Sequence, residues 1–384
     1  MSRGTPSDLS IWLQQRATAI DNIVPLFGDA RILAIADATH GTHEFFDVKR
    51  RLVPTLAANG FNILAFEAPY AEFDALREGA EPANVIQSAD YFFWDANEVL
   101  DTIRFAEANG IEVAGIDCAH PHSAIDMVLT YLARVDRDAR ARAATQYGCL
   151  RQYGAATGGY MNLPPSLKES CRADITQVLP VFAASRDAYI AKSSLGEYEH
   201  VVHAARVVEQ GERALATNPP SRDACMAENL EWLFAQRPDA KIVVWGHNEH
   251  FGKAAYTLNG ITSKSTGTYV SEKYGDGYRA IGSIALDGSF WAFDPMWQIT
   301  EQFLPAASDD DYATMFASLH RAEMFVSFAG SLPSWFGAPH RLRIAGSTPG
   351  AYEITENLAK RFDGIIYIEM STPSQLRHFP RLRN

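Results

Sequence analysis

The residues able to do chemistry in this chain fall in short clusters, each directly after an apolar run. Asp37, His40, His43 and Glu44 follow the run Arg31–Ala36, and Glu67 follows Asn62–Phe66. Asp117, Cys118, His120 and His122 follow Glu112–Ile116; His247, Asn248, Glu249 and His250 follow Lys241–Trp245 and a glycine. Six of the eleven histidines lie in these clusters. A carboxylate beside an imidazole fixes its tautomer and raises its basicity, which is what a general base requires. Glu67 is the sharpest case, since a carboxylate directly behind an apolar run is costly to bury without a partner. Any one of these residues can be a turn former or a helix cap. Four such runs in succession argue for a site.

Other chemistries fit less well. The pairs His40/His43, His200/His203 and His247/His250 have the spacing of zinc ligands on a helix. However, the first straddles Gly41 in a turn, the second reads as a helix face, and His43-Glu44 has no second histidine to complete H-E-x-x-H. No metal and no cofactor is expected. There is no G-x-S-x-G nucleophile elbow, no strict G-x-G-x-x-G and no phosphate-binding loop. Gly275–Ala280 precedes an apolar run instead of following one, and Gly346–Gly350 lacks lysine; both read as loops. A hydrolytic site would have to use water activated by histidine and carboxylate.

The elements that must position these groups are legible in outline. The four runs above, with Tyr278–Ile284 and Gly364–Ile368, are short, branched-aliphatic or aromatic, and lack clean alternation. That pattern predicts strands buried on both faces. Between them, Glu44–Asn59 places Phe45, Val48, Leu52 and Leu56 at helical intervals before Gly60, with a kink or break expected at Pro54. Asn97–Asn109 shows the same periodicity and stops at Gly110. Such alternation predicts an α/β fold with a mostly parallel central sheet covered by helices on both faces. Ligands bind beyond the carboxyl ends of the strands in such sheets, where the clusters fall. Residues 123–224 lack a convincing strand and read as a helical lobe or lid, broken at Tyr153–Pro165. Residues 1–122 and 225–384 then form the catalytic α/β core.

Bulk composition narrows the partners. The chain has 384 residues, 47% hydrophobic and 21% charged, and a net charge of -12. An acidic surface excludes a general nucleic-acid binder. No apolar run reaches a membrane-spanning length and no signal sequence is visible, so a cytoplasmic protein is expected. Cys118, Cys149, Cys171 and Cys225 show no paired spacing and are expected to be reduced thiols.

The clusters also resemble a known family. Asp37 to Phe46, with Lys49 and Leu52 behind them, look like the first conserved block of the erythromycin esterases. Phe61–Glu67 is similar to the second, and Arg222–Leu230 to the helix before the fourth strand. His247–His250 is similar to the His-Asn-x-His block; Asp117–Ala133 and Phe362–Ile368 also look familiar. The resemblance implies a metal-independent hydrolase that opens ester or lactone bonds of macrolides or other natural products, with relevance to antibiotic resistance or biosynthesis. It implies His40 as the general base, with Glu67, His247, His250 and Asp37 as further catalytic residues. Lys49, His43, Trp94, Asn248 and His120 are candidates for substrate contact. Tyr91, Phe92, Phe93 and Trp94 would then line a substrate cleft, unless they are core.

Two positions depart from the family pattern: Asp37 stands for a glutamate and Lys49 for an arginine. They point to a relative acting on another ester, lactone or amide. Two other functions remain at this stage. The same histidine–carboxylate pair can catalyse elimination, lactonisation or acyl transfer in natural-product biosynthesis, or the clustered histidines can bind a metal or porphyrin without catalysis.

Overall fold

The computed structural model describes residues 7–27, 29–89, 91–153, 159–216, 221–258, 261–346 and 352–378. All six apolar runs are strands: β1 (Ile32–Asp37), β2 (Ile63–Pro69), β3 (Glu112–Asp117), β4 (Ile242–His247), β5 (Tyr278–Phe293) and, with β6 (Glu323–Ser327) before it, β7 (Gly364–Ser371). Every residue of β1, β2 and β4 is buried, which is why their sequences run apolar without alternation. The order across the sheet is β6, β7, β5, β1, β4, β2, β3, with the two-residue strand Ala17–Thr18 outside β6. The pairs β7–β5, β5–β1, β1–β4 and β4–β2 are parallel; β6 runs antiparallel to β7.

This order contains a switch point. The chain leaving β1 returns as β2 on one side, whereas the chain leaving β4 returns as β5 on the other. The connections leaving the neighbours β1 and β4 thus run in opposite directions across the sheet from their carboxyl ends, where Asp37 stands beside His247 in register.

Helix α1 (His43–Ala58) follows β1 and buries Phe45, Phe46, Val48, Leu52, Val53 and Leu56. Burial of such side chains contributes about 1.5–3 kcal/mol each. The expected break at Pro54 does not occur, because the helix continues through it to Ala58. Only one backbone donor is lost there, and the apolar stripe on either side holds the helix in place. Helix α2 (Asn97–Ala108) buries Val99, Ile103 and Ala106 in the same way. The part of β5 beyond the sheet pairs with Ile299–Phe303 as an antiparallel hairpin.

The chain packs as two compact units, residues 1–67, 81–113 and 233–384, and residues 68–80 and 114–232. The second has its own apolar core, including Val128, Tyr131, Leu132, Phe182, Tyr189 and Val208. Among the described residues from 123 to 224 every regular element is a helix. Residues 154–158 of the expected break at Tyr153–Pro165 lie outside the described residues, as do residues 347–350 of the glycine loop at Gly346.

The thiol expectation is corrected in part. Cys149 and Cys171 form a disulfide, while Cys118 and Cys225 are free and buried. Connectivity depends on three-dimensional proximity, which scattered spacing does not reveal. A disulfide also removes the support that reduced thiols lent to a cytoplasmic location. Replacing both residues by serine should lower the unfolding free energy by about 2–4 kcal/mol, as removal of a closed loop predicts. Urea titration of the double variant against the oxidised parent checks it.

His200 and His203 lie on the helix Leu195–Ala216, in keeping with a helix face. His200 bonds Asp74 through Nδ1 at 2.5 Å; His203 stacks on Trp232 with centroids 4.0 Å apart. Burial pushes the His203 pKa down from 6.5 to about 3, helped by nearby His200 and opposed by Asp74. The unfolded chain therefore takes up a proton that the folded one refuses. This stability is complete above pH 6.5 and falls by about 1.4 kcal/mol per pH unit as pH drops towards 3. The acid slope of the urea midpoint should flatten in His203→Phe.

Candidate active site

The loop from β1 to α1 puts His40 over the switch point. Its ring is 6% exposed, lies flat on Phe93 with centroids 4.3 Å apart, and sits 4.7 Å from the ring of His247. Trp94 meets its edge at 6.4 Å. These contacts hold the imidazole in one orientation.

Glu67, in the middle of β2, connects the next two histidines. Its Oε2 accepts the backbone N–H of His247 at 2.8 Å, and its Oε1 lies 3.5 Å from His250 Nε2. The carboxylate is 2% exposed, so these partners compensate its burial. Gly246 makes room for it: a Cβ there would stand 2.7 Å from Glu67 Oε2 and 2.2 Å from the Phe251 ring. A side chain at this position would displace the carboxylate.

His247 closes β4 and caps the short helix Asn248–Phe251. Its Nε2 faces the Ala38 carbonyl at 3.1 Å, and its Nδ1 faces the backbone N–H of Glu249 at 3.4 Å. Both ring nitrogens are engaged by the chain itself. What this ring presents to its surroundings is its face and its closeness to His40. Asn248 is likewise engaged: its amide donates to the Ser283 carbonyl at 2.7 Å and accepts the Ser283 N–H at 3.1 Å. That pairing fastens the turn to β5.

Asp37 and Lys49 are buried together. The Lys49 ammonium donates to Asp37 Oδ1 and to the Phe45 carbonyl at 3.2 Å, while Trp245 Nε1 donates to Asp37 Oδ2 at 3.0 Å. Burial is the largest influence on both, raising the Asp37 pKa and lowering that of Lys49; their mutual attraction works against it. The two positions that depart from the family pattern are each other's partners. At 0% and 3% exposure they join the end of β1, beside His247, to α1.

The remaining candidates are dispersed. His43 opens α1 and bonds the buried Glu98 through Nδ1 at 2.5 Å. Trp94 is fully buried; it donates to the Glu67 carbonyl at 3.1 Å and packs against Phe46, Phe66 and Trp245. It is buried, in keeping with the other reading of the aromatic run, and Phe93 is the member stacked on His40. His120 lies in the turn after β3, in the second unit. His40, Glu67, His247 and His250 are thus brought together, Asp37 stands beside His247 and pairs with Lys49, and His43, Trp94 and Asn248 bond Glu98, the Glu67 carbonyl and Ser283.

Two residues escaped the reading of the sequence. Glu98 accepts from His43 and from the Gln375 backbone N–H at 3.0 Å. Arg361, 1% exposed, donates to the carbonyls of Asn248 at 2.9 Å and Glu249 at 3.2 Å, holding the turn that carries His247 and His250. Glu98 stands in the first turn of a helix, where a carboxylate is ordinary decoration, and nothing local marks Arg361 as buried. Among the described residues no three His, Cys, Asp or Glu side chains converge as metal ligands would. No helix among the described residues is long and apolar enough to cross a membrane.

A mostly parallel α/β sheet with a histidine–carboxylate cluster at its switch point defines the class. The model of the erythromycin esterase family matches residues 56–371, and the chain belongs to that family. Erythromycin esterase type II of Escherichia coli is 21% identical over 398 residues, covering 93% of this chain and 94% of the relative. Among solved structures, a Bacillus cereus protein superposes with a TM-score of 0.81 at 22% identity, covering 97% of this chain and 99% of the other. A mutant of erythromycin esterase EreC in its open conformation gives 0.73 at 16% identity, covering 93% and 95%. At these identities the structural likeness speaks for the fold.

Proposed function

We propose that the chain hydrolyses an ester or lactone, with His40 as the general base and no metal in the reaction. His40 takes a proton from water, whose oxygen attacks the acyl carbon. The acyl C–O bond breaks, and the proton returns from the imidazole to the leaving alkoxide. His250, which faces the Glu67 carboxylate through Nε2, lies beside His247 and helps to place the substrate carbonyl for the attack. His247 packs beside His40 and fixes its place. The observation that carries this reading is Glu67 bridging the backbone of His247 to the ring of His250 next to His40. Family membership and the E. coli relative's name support a natural-product ester, macrolide lactones included, as the substrate class.

The test is a panel of macrolides, simple lactones and linear esters incubated with the enzyme and read by mass spectrometry. At least one should gain the mass of water, with or without a chelator. A panel without any such gain overturns the hydrolytic reading. Loss of turnover on chelation, restored by zinc, overturns the metal-free one.

A further inference from the structure

The hairpin formed by the outer part of β5 and Ile299–Phe303 has no role in the chemistry above. Its turn carries Met296 at 72% exposure and Trp297 at 49%, and its second strand ends in Phe303 at 71%. Trp297 also adopts a left-handed φ of 59°. That conformation belongs to the hairpin turn, in which the Trp297 N–H donates to the Asp294 carbonyl at 2.9 Å and Asp294 Oδ1 accepts from the Met296 and Gln298 N–H groups, and it leaves the indole half in water.

The hairpin is tied to the His40 loop. The Trp291 N–H donates to the Gly41 carbonyl at 3.1 Å. A Cβ on Gly41 would lie 2.2 Å from the Trp291 carbonyl oxygen, so only glycine allows this approach. A continuous series of rings then runs outward from the site. His40 stacks on Phe93 at 4.3 Å, Phe93 meets Phe92 at 5.6 Å, Phe92 meets Phe293 at 5.0 Å, and Phe293 meets Trp297 at 5.6 Å. Trp291, Phe293 and Phe303 occupy one face of the hairpin, since Ser289 pairs with Phe303 and Phe293 with Ile299.

We propose that Met296 and Trp297 form a binding subsite for the apolar body of the substrate, the part of a large lactone remote from its carbonyl. This rests on the esterase reading and deepens it: the substrate presents an extended aliphatic surface in addition to its ester. A rigid aromatic fixed to the loop of the catalytic base binds such a surface without ordering new backbone. The Trp297 ring, half exposed and packed on Phe293 in the free chain, gains further burial when the ligand is present.

Two lactones of different apolar surface test this, δ-valerolactone and ω-pentadecalactone; their unequal intrinsic reactivity cancels when the ratio is compared between parent and variant. In Met296→Ser/Trp297→Ser, the ratio of kcat/KM for the large over the small lactone should fall about tenfold, through KM, with unfolding by urea unchanged. Equilibrium dialysis of ω-pentadecalactone against the same pair of substitutions in a His40→Gln background should show a dissociation constant about tenfold higher. This binding readout stands even if neither lactone is turned over, which would sink the hydrolytic reading alone. An unchanged ratio together with an unchanged dissociation constant overturns the subsite. So does a self-association or an attachment to neutral lipid vesicles that the double substitution abolishes while lactone binding stays the same.

Discussion

His40→Ala and His40→Gln each lower kcat by about 10²–10⁴, the range typical for removal of a positioned base. His40 is the histidine of the cluster whose ring both lies on an aromatic platform and touches a second imidazole, so its place is fixed before substrate arrives. Alanine also removes the stack on Phe93 and leaves a cavity, which costs some stability. Glutamine keeps most of the volume and the polarity but cannot cycle a proton. The two variants should therefore share the loss in kcat and differ in urea stability. If glutamine retains full turnover, His40 is not the base.

Lys49→Met, which leaves Asp37 buried and unpaired, should destabilise the fold by about 3–5 kcal/mol. Asp37→Leu should have a similar effect, stranding the ammonium. The double substitution Asp37→Leu/Lys49→Met should recover most of the loss, because desolvation offsets much of what the pair gains when buried. Both side chains are essentially inaccessible and bond each other. Urea unfolding of the four proteins closes a double-mutant cycle. Additive losses would show that the pair does not act as a unit.

The central strands and the cluster at their ends were legible because burial on both faces leaves an unbroken apolar run. A polar residue directly behind such a run must then have a purpose. Lys49 carried a further signal: it falls on the buried stripe of α1 between Phe46 and Val53. A lysine there needs a buried anion, yet its identity as Asp37 depends on how α1 lies on β1, which spacing alone does not give. The antiparallel strand β6 went unread because five residues beginning at Glu323 lack a period long enough to register. Trp94 and Asn248 were candidates for substrate contact through the family resemblance, and the bonds they make within the chain were not legible. Their partners, the Glu67 carbonyl and the Ser283 backbone, come from distant strands. Polar side chains that satisfy the backbone of another strand resemble ligand-binding ones until the strands are assembled.

The hydrolytic account is tested most directly by running the reaction in ¹⁸O-labelled water with a lactone or ester that the enzyme consumes. Water attack at the acyl carbon, with His40 as base, predicts one labelled oxygen in the carboxylate of the product and none in the alcohol. A substrate consumed by the wild-type enzyme but not by His40→Gln, yielding product without the label, would contradict hydrolysis and show the same imidazole performing an elimination or an acyl transfer.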